Sequence, residues 1–497
     1  MERRGKERLA DPAVMVIFGA SGDLTKRKLV PALFHLAAEG LLPASFAIVG
    51  VARREISFAQ DMKKAILEYS KVAKNIPPEE LEAFIEKTSY HQMSFNDSGG
   101  YAELKSFLEH IDREHGTCGN RLFYLSTAPE YFLEIIRRLG EHGMAAQQSA
   151  YSRIIIEKPF GHDLASSREL NEEVNKVFSE EQIFRIDHYL GKEKVQNILV
   201  FRFANSIFEL LWNRNFIDSI QITSAEDLGI EGRGPFYEKA GALRDVVQNH
   251  IMEVLALVTM EPPISFGACA IRDEKLKLWR SIRPLDLDNI VRGQYGPGYV
   301  QGKPVFPYRQ EERVSRDSYT ETFVALKIEI DNWRWAGVPI YVRVGKRLPK
   351  KVTEIAIQFK KPPTLLFGSR SHENDIQPNL LIIRIQPDEG ISLRFGAKVP
   401  GPHTNVRPVE MDFKYSSVFE MSTATGYERL LLDALLGDQT LFTHRDGVEA
   451  SWALYTPVLN HWEGHKPRNF PNYESGTWGP IDAFVLLAKE GREWVNP

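Results

Sequence analysis

The chain has 497 residues, of which 43% are hydrophobic and 26% charged, and its formal net charge is −4. This composition is ordinary for a protein with a buried core, and it argues against a nucleic-acid-binding protein, which would be strongly basic. The two cysteines, Cys118 and Cys269, exclude a disulfide framework and a thiolate metal cluster, and they favour a cytoplasmic location. Residues 1–12 lack the apolar core of a signal peptide, and the longest apolar run, 251–260, is too short to span a bilayer.

Strand-like and helix-like segments alternate over the first third of the chain. The predicted strands are 14–18, 46–51, 121–126 and 153–156, and the helical patterns that follow them are 24–38, 58–69, 130–139 and 164–178. Such alternation predicts an α/β domain with a parallel, doubly wound sheet. The strands are continuously apolar, as expected of a sheet that is buried on both faces.

The pattern changes after about residue 184. Two long helical patterns, 192–203 and 243–260, are followed by longer strand-like stretches at 319–330, 340–344, 354–359 and 379–386. These features predict a larger α+β domain with a mainly antiparallel sheet and helices on one face. We place the boundary near residue 186, which gives predicted domains of 1–186 and 187–497.

A glycine-rich turn follows the first predicted strand, with the sequence Gly19-Ala20-Ser21-Gly22-Asp23-Leu24. Glycines let the backbone approach a pyrophosphate closely, and the next helix then presents its free N–H groups to that anion. The position of the turn therefore indicates dinucleotide binding, although an ordinary strand-to-helix turn would have the same form. Arg53 and Arg54 follow the second strand, where a basic residue accommodates the 2′-phosphate of NADP. NADP is thus the predicted cofactor, and NAD is the weaker alternative.

The tetrapeptide Glu157-Lys158-Pro159-Phe160 closes another predicted strand. Ligands of doubly wound sheets bind at the carboxyl edge of the strands, so Lys158 is expected near the nicotinamide. Pro159 is a candidate for a cis peptide bond. The ordinary interpretation is a strand-end lysine that precedes a turn.

Residues 185–192, Arg-Ile-Asp-His-Tyr-Leu-Gly-Lys, form the densest polar cluster in the sequence. If a helix starts near Asp187, then His188 and Lys192 lie one turn apart on one face, with Tyr189 beside them. These side chains suit a phosphate dianion near a helix N-terminus. Asp187 could instead be only an N-cap.

His250 falls on the apolar stripe of the helical pattern 243–260. A lone histidine in this position is more often a core residue than a catalyst. A buried neutral imidazole beside a carboxylate is also a suitable general base near pH 7, and Asp187 is the candidate partner.

Three further candidates carry less weight. His461 and His465 are spaced as in a zinc-protease motif, but the glutamate between them is one position late, so we predict no metal site. Glu226 precedes a glycine-rich loop, 229–234, that could line a sugar pocket. Lys346 and Lys351 either belong to a solvated turn or form the second part of a phosphate site, of which His188, Tyr189 and Lys192 are the first.

In their order and spacing, the segments 19–24, 157–161, 185–193, 231–234 and 244–250 resemble the signature segments of the glucose-6-phosphate dehydrogenase family. The resemblance extends from residue 14 to residue 497. It implies a Rossmann-like coenzyme domain and a larger α+β domain whose sheet forms a homodimer or homotetramer. It also implies oxidation of glucose 6-phosphate at C1 to 6-phosphogluconolactone, with hydride transfer to NADP, as the first oxidative step of the pentose phosphate pathway.

The same resemblance implies roles for individual residues. His250 resembles the general base, and Asp187 resembles the carboxylate that orients it. The implied substrate ligands are Lys158, His188, Tyr189, Lys192, Glu226, Asp245, Lys346, Lys351 and Gln386. The implied cofactor ligands are Gly19, Ser21, Gly22, Asp23, Leu24, Lys28, Arg53 and Lys158.

Two other functions remain as alternatives. Another sugar or polyol dehydrogenase could share the glycine turn and the Glu-Lys-Pro motif, but it would not need the His-Tyr-Lys cluster. A non-catalytic dinucleotide sensor would need neither Asp187 nor His250.

Overall fold

The structure is a computed structural model that describes residues 9–147, 149–363, 376–402, 406–418 and 426–497. The chain divides into two units. The described residues of the first unit lie within Met1–Glu193, Pro263–Asp273 and Ser422–Glu449. Those of the second unit lie within Lys194–Pro262, Glu274–Met421 and Ala450–Pro497. The predicted division at residue 186 stays a prediction.

The first unit is built on a parallel sheet. Its six strands are β1 Ala13–Phe18, β2 Phe46–Ala52, β3 Thr88–Gln92, β4 Arg121–Leu125, β5 Ser152–Ile156 and β6 Ile183–Arg185, in the order β3-β2-β1-β4-β5-β6. All neighbours pair in parallel, and β1 is buried along its whole length. The predicted doubly wound sheet is therefore confirmed.

The second unit contains a larger sheet of eight strands. These are β7 Ile217–Ala225, β8 Ile290–Gly293, β11 Phe323–Ile328, β12 Ile340–Gly345, β13 Val352–Phe359, β14 Leu380–Gln386, β15 Gly390–Lys398 and β16 Val406–Lys414. Their order is β16-β15-β14-β13-β7-β12-β11-β8, and only β7 and β12 pair in parallel. A small sheet joins β9 Tyr295–Val300, β10 Lys303–Val305 and β17 Tyr473–Ser475. The predicted, mainly antiparallel second sheet is also confirmed.

The helices follow in chain order. They are α1 Val30–Ala38, α2 Phe58–Tyr69, α3 Pro78–Ile85, α4 Ser98–His115, α5 Phe132–Glu141, α6 Leu164–Asn175, α7 Glu193–Phe203, α8 Ser206–Leu211, α9 Gly234–Ala242, α10 Met252–Thr259, α11 Ala268–Arg280, α12 Tyr415–Val418, α13 Gly426–Leu436, α14 Arg445–Gly464 and α15 Ile481–Ala488. Two π-helical segments, Thr25–Leu29 and Leu243–Ile251, run directly into α1 and α10. Both lie inside single predicted helices, because hydrophobic spacing does not distinguish a π-helix from an α-helix.

Candidate active site

The turn after β1 requires glycine at its first position. Gly19 has a φ of +91°, and a Cβ atom there would lie 2.1 Å from the Ser126 carbonyl oxygen. Its own carbonyl accepts hydrogen bonds from the Gly22 N–H at 2.9 Å and from Thr25 Oγ1 at 3.1 Å. Among the other predicted cofactor residues of this turn and helix, Ser21, Asp23 and Lys28 are exposed and Leu24 is half-buried. The backbone thus curls tightly at the carboxyl edge of the sheet, in the form that a pyrophosphate needs.

Arg53 lies at the same edge, directly after β2. Its guanidinium donates a hydrogen bond to Tyr131 Oη at 3.0 Å and lies 5.3 Å from the centroid of that ring. Tyr131 belongs to a short 3₁₀ turn that follows β4. The exposed cation is therefore held in place by a tyrosine that the sequence analysis did not identify.

Glu157, Lys158 and Pro159 follow β5, and the Lys158–Pro159 peptide bond is cis. The Glu157 carboxylate accepts hydrogen bonds from Tyr124 Oη and, at 3.4 Å, from Tyr427 Oη. Burial raises the pKa of Glu157, and the charge of Asp187 adds to this shift. The positive charge of Lys158 opposes it. Two carboxylates and a lysine therefore share this part of the first unit.

Asp187 begins a turn rather than a helix. Its Oδ1 accepts the Tyr189 N–H at 2.8 Å, and its carbonyl accepts the Leu190 N–H at 3.0 Å. Helix α7 starts only at Glu193. The conditional expectation of a helix from Asp187 was wrong, because the aspartate side chain satisfies a backbone N–H locally and favours a turn.

The turn nevertheless gathers three predicted phosphate ligands around one ring. The Tyr189 ring lies 5.3 Å from the His188 ring, edge to face. Lys192 Nζ lies 3.7 Å from the centroid of the same tyrosine. A lysine, an imidazole and a phenol hydroxyl at one place form a suitable donor set for a phosphate dianion. Arg185, in contrast, is buried and bonded to Asn171 and Glu180, so its role is structural.

Four predicted substrate residues of the second unit lie at the same end of four neighbouring strands in its large sheet. Ala225 of β7 pairs with Gly345 of β12 and with Val352 of β13, and Thr353 pairs with Gln386 of β14. The residues that adjoin this row are Glu226, Lys346, Lys351 and Gln386. Four separate strands therefore bring these side chains to a common edge, which the sequence spacing alone did not predict.

Glu226 and Lys346 form an ion pair at this edge, with Lys346 Nζ 2.6 Å from Glu226 Oε2. The ammonium group also lies 5.2 Å from the centroid of the Tyr237 ring. Burial raises the pKa of Tyr237, and the negative charges of Asp245, Glu321 and Glu226 add to the shift. Tyr237 therefore lies in the electrostatic field of three predicted substrate ligands, Glu226, Asp245 and Lys346.

His250 lies on the π-helical segment Leu243–Ile251, in which Asp245 is also buried. The His250 side chain is 3% exposed. Segments of this kind are rare and frequently occur at functional sites. Helical periodicity correctly placed His250 on a buried face, but it gave no sign of the π-helical geometry.

The two histidines of the dismissed metal motif lie at the end of α14. Their rings stack with centroids 4.1 Å apart, and His465 Nδ1 lies 2.9 Å from the His461 carbonyl oxygen. Arg292 donates a hydrogen bond to the His465 carbonyl, which places a cation next to the pair.

None of the helices in the described part of the chain combines the length and hydropathy needed to cross a bilayer.

Sequence reasoning missed several polar residues that contact the candidate site. Tyr131 holds Arg53, Tyr427 bonds to Glu157, and Glu321 contacts the start of the π-helical segment. Tyr427 and Glu321 are far along the chain from their partners, so no local motif could have pointed to them. Tyr131 would have been easier to find, because it comes shortly after Leu125, the last residue of a strand that the sequence predicted.

Known proteins are similar to this chain over nearly its whole length. The family model of the glucose-6-phosphate dehydrogenase NAD binding domain matches residues 16–197, and that of the C-terminal domain matches residues 199–495. Glucose-6-phosphate 1-dehydrogenase of Chlamydia pneumoniae is 52% identical over 501 residues, which cover 98% of this chain and 96% of that protein. The enzyme of the same name from Chlamydia muridarum is 51% identical, covering 97% of this chain and 96% of that protein.

A solved structure is similar to this one as well. It is described as glucose-6-phosphate dehydrogenase in complex with its substrate glucose-6-phosphate. It superimposes with a TM-score of 0.90 at 39% sequence identity, and the match covers 99% of this chain and 100% of the other.

Proposed function

We infer the chemistry of this chain from one premise, which is that it belongs to the glucose-6-phosphate dehydrogenase family. It is an oxidoreductase that oxidises glucose 6-phosphate at C1 to 6-phosphogluconolactone, the first oxidative step of the pentose phosphate pathway. The observation that carries this assignment is the match of both family models, which together span residues 16–197 and 199–495. The roles of individual residues, described next, are our proposals.

His250 is the proposed general base. It takes the proton from the C1 hydroxyl group as the hydride leaves C1, and Asp187 is proposed to orient the imidazole and to stabilise its cation. The burial of both side chains supports this assignment, because a group excluded from water interacts more strongly with its partner. A positioned base contributes a factor of about 10² to 10⁴ to the rate.

The 6-phosphate is proposed to bind to His188, Tyr189, Lys192 and Lys351. The short contacts from the Tyr189 ring to His188 and Lys192 support this role. The sugar hydroxyl groups are proposed to bind to Lys158, Glu226, Asp245, Lys346 and Gln386. The shared sheet edge and the ion pair of Lys346 with Glu226 support the last group.

A nicotinamide dinucleotide supplies the hydride acceptor when it is bound, and we propose NADP. The residues fit this group, because glycine at position 19 permits the tight turn after β1: a Cβ atom there would lie 2.1 Å from the Ser126 carbonyl oxygen. The exposed Arg53, held by Tyr131, supplies a cation for a 2′-phosphate. The proposed dinucleotide ligands are Gly19, Ser21, Gly22, Asp23, Leu24, Lys28, Arg53 and Lys158.

We also propose that the chain forms a homodimer or a homotetramer through the eight-stranded sheet. Its edge strand β16 exposes Val409 and Met411, two apolar side chains that a second copy could cover. The described cysteines, Cys118 and Cys269, are free and exposed, which supports a reducing, cytoplasmic location. Light scattering on the purified protein in solution measures the oligomeric mass directly.

The test is a spectrophotometric assay of the reduced nicotinamide with glucose 6-phosphate, run once with NADP and once with NAD. We expect rapid reduction of NADP and little reaction with free glucose. Reduction of NAD alone would overturn the cofactor proposal but keep the enzyme. Equal rates with free glucose and with the phosphate ester would contradict the proposed 6-phosphate site and favour a different sugar dehydrogenase.

A further inference from the structure

The π-helical segment that carries His250 is held at its first turn by Glu321, a residue from a distant part of the chain. Glu321 is 7% exposed and lies two positions before β11. Its Oε1 accepts the Leu243 N–H at 3.0 Å, and its main-chain carbonyl accepts the Ala242 N–H at 3.0 Å. The first N–H groups of a helix have no acceptor within the helix. Glu321 therefore satisfies two consecutive donors where the segment begins.

Gly241 shows how closely this carboxylate approaches the backbone. The residue has a φ of +63°, and a Cβ atom there would lie 2.2 Å from Glu321 Oε1 and 2.6 Å from Oε2. Any side chain at this position would displace the carboxylate as well as strain the backbone. The turn that leads into the segment is thus built against the Glu321 side chain.

The neighbouring residue connects Glu321 to a predicted substrate ligand. The Thr322 carbonyl accepts the Lys346 N–H at 3.0 Å. Thr322 Oγ1 accepts the Tyr295 N–H at 3.0 Å and lies 2.9 Å from Tyr473 Oη, which donates to the Lys346 carbonyl at 2.8 Å. One dipeptide, Glu321-Thr322, therefore fixes both the start of the His250 segment and the backbone of Lys346.

Electrostatics favour a defined position for the Glu321 side chain. Burial raises the pKa of this carboxyl group, whereas its backbone hydrogen bond and the guanidinium groups of Arg244 and Arg292 oppose the shift. A negative charge at the start of a helix is also stabilised by the aligned backbone dipoles. The hydrogen bond from the Leu243 N–H and the close approach of the Gly241 backbone therefore fix where the carboxylate lies.

We propose that Glu321 is a positioning residue for the oxidation, because it sets where the segment carrying Asp245 and His250 begins. A helical segment transmits the position of its first residues, so a shift at Leu243 would move the His250 imidazole. Misplacement of a reacting group by about 1 Å can cost about 100-fold in rate. This inference rests on the proposed roles of His250 and Asp245.

The experiment compares the variants Glu321→Ala, Glu321→Gln and Glu354→Gln, using glucose 6-phosphate with hydrogen or deuterium at C1. We expect Glu321→Ala to lower kcat by about 100-fold and to raise the deuterium isotope effect, because C1 oxidation becomes the slowest step. NADP affinity should be unchanged. Glu321→Gln keeps an oxygen that can accept the Leu243 N–H and should retain most of the activity. Glu354→Gln is the control for Glu321→Gln, since Glu354 is also buried, with 4% exposure on β13 of the same unit.

Wild-type turnover and isotope effect in Glu321→Ala would overturn the inference, as would an equal loss in Glu354→Gln. If Glu321→Ala does not fold, Glu321→Asp replaces it under the same criteria, since its carboxylate is withdrawn by one methylene group. His250→Asn is measured in parallel to separate the two proposals. If that variant keeps its turnover, the proposed role of His250 fails; if it is inactive while Glu321→Ala is fully active, only the inference fails.

Discussion

At the scale of single residues, His250 and His461 offer a direct comparison of two histidines in the second unit. His250 is buried on the π-helical segment, whereas His461 lies half-buried near the end of α14. We expect His250→Asn to lower kcat by a factor of about 10² to 10⁴, because it removes the proposed general base. His461→Asn should leave kcat unchanged. The measurement is steady-state turnover with glucose 6-phosphate, together with the dissociation constants of sugar and NADP.

Dissociation constants near the wild-type values would show that His250→Asn loses chemistry rather than binding. A His250→Asn variant with normal turnover would remove this residue from the mechanism.

Lys192 provides a second test, this time of substrate recognition. Its ammonium group lies against the Tyr189 ring, beside His188, and a positive charge there would pair with the 6-phosphate. We expect Lys192→Ala to raise KM for glucose 6-phosphate about tenfold or more, because a hydrogen bond to a charged group is lost. Its effect on kcat/KM for free glucose should be much smaller.

Lys176→Ala is the matched control for Lys192, because this exposed lysine of the same unit pairs with Glu173. It should change neither sugar's KM. Equal losses on glucose and on glucose 6-phosphate in Lys192→Ala would count against a phosphate clamp.

At the scale of elements, α13 packs against the turn that contains His188. A Cβ atom at Gly191 would lie 2.3 Å from the Gly426 carbonyl oxygen and 2.9 Å from the Leu430 side chain. We expect Gly191→Ala to lower the free energy of unfolding by about 1 to 3 kcal/mol, since overpacking forces the backbone apart. Urea unfolding measures this change.

Gly464→Ala is the control for that substitution. Gly464 ends α14, and a Cβ atom there would point into open space, with no heavy atom from outside its own helical turn within 4 Å. Alanine there should be neutral or slightly stabilising, because glycine is the poorer helix former. Equal stability of the Gly191→Ala variant and the wild type would show that α13 can move away from residue 191 without loss of folding free energy.

The elements that the sequence predicted well are those with unbroken apolar runs. Strands β1, β2, β4 and β5 were found this way, because a parallel sheet buries both faces. Strand β3 was missed because it is a half-exposed edge strand of polar residues. Strand β7 was missed for a different reason: it is buried, but Gln221 in its centre is bonded to Glu493 and Val495 of the C-terminal segment.

The candidate site shows the same division between local and distant information. Motifs contiguous in sequence, such as the Gly19 turn and the Tyr189 cluster, could be found from the sequence. The common edge of Glu226, Lys346 and Gln386 could not, because it depends on the order of four strands. Glu321 could not be found either, since its partner Leu243 is distant in the chain.

At the scale of the whole molecule, stability depends on pH through every group whose pKa differs between the folded and unfolded chain. Among the residues that the structure describes, Asp433 and Glu354 are two carboxyl groups whose pKa is raised, one in each unit. Burial raises the pKa of Asp433 to about 6 in the first unit and that of Glu354 to about 7 in the second. Lys350, Arg384 and Arg343 oppose the shift of Glu354. Both groups hold their protons more tightly when the chain is folded.

Glu354→Gln tests the sign of this effect. Because the folded pKa is raised above the unfolded value of 4.5, the stability contributed by protonated Glu354 is complete below that value and is lost as the pH rises through about 7. Glutamine does not ionise. Between roughly pH 5 and pH 8, the free energy of unfolding of the variant should therefore rise relative to that of the wild type by up to about 3 kcal/mol. Urea unfolding at both pH values measures the gain. The control is Glu474→Gln on β17, an exposed position where a glutamate incurs no burial penalty. If the gain of Glu354→Gln were the same at both pH values, the carboxyl group would ionise without cost in the folded chain, and the penalty for burying it would have to be offset by Arg343 and its neighbours.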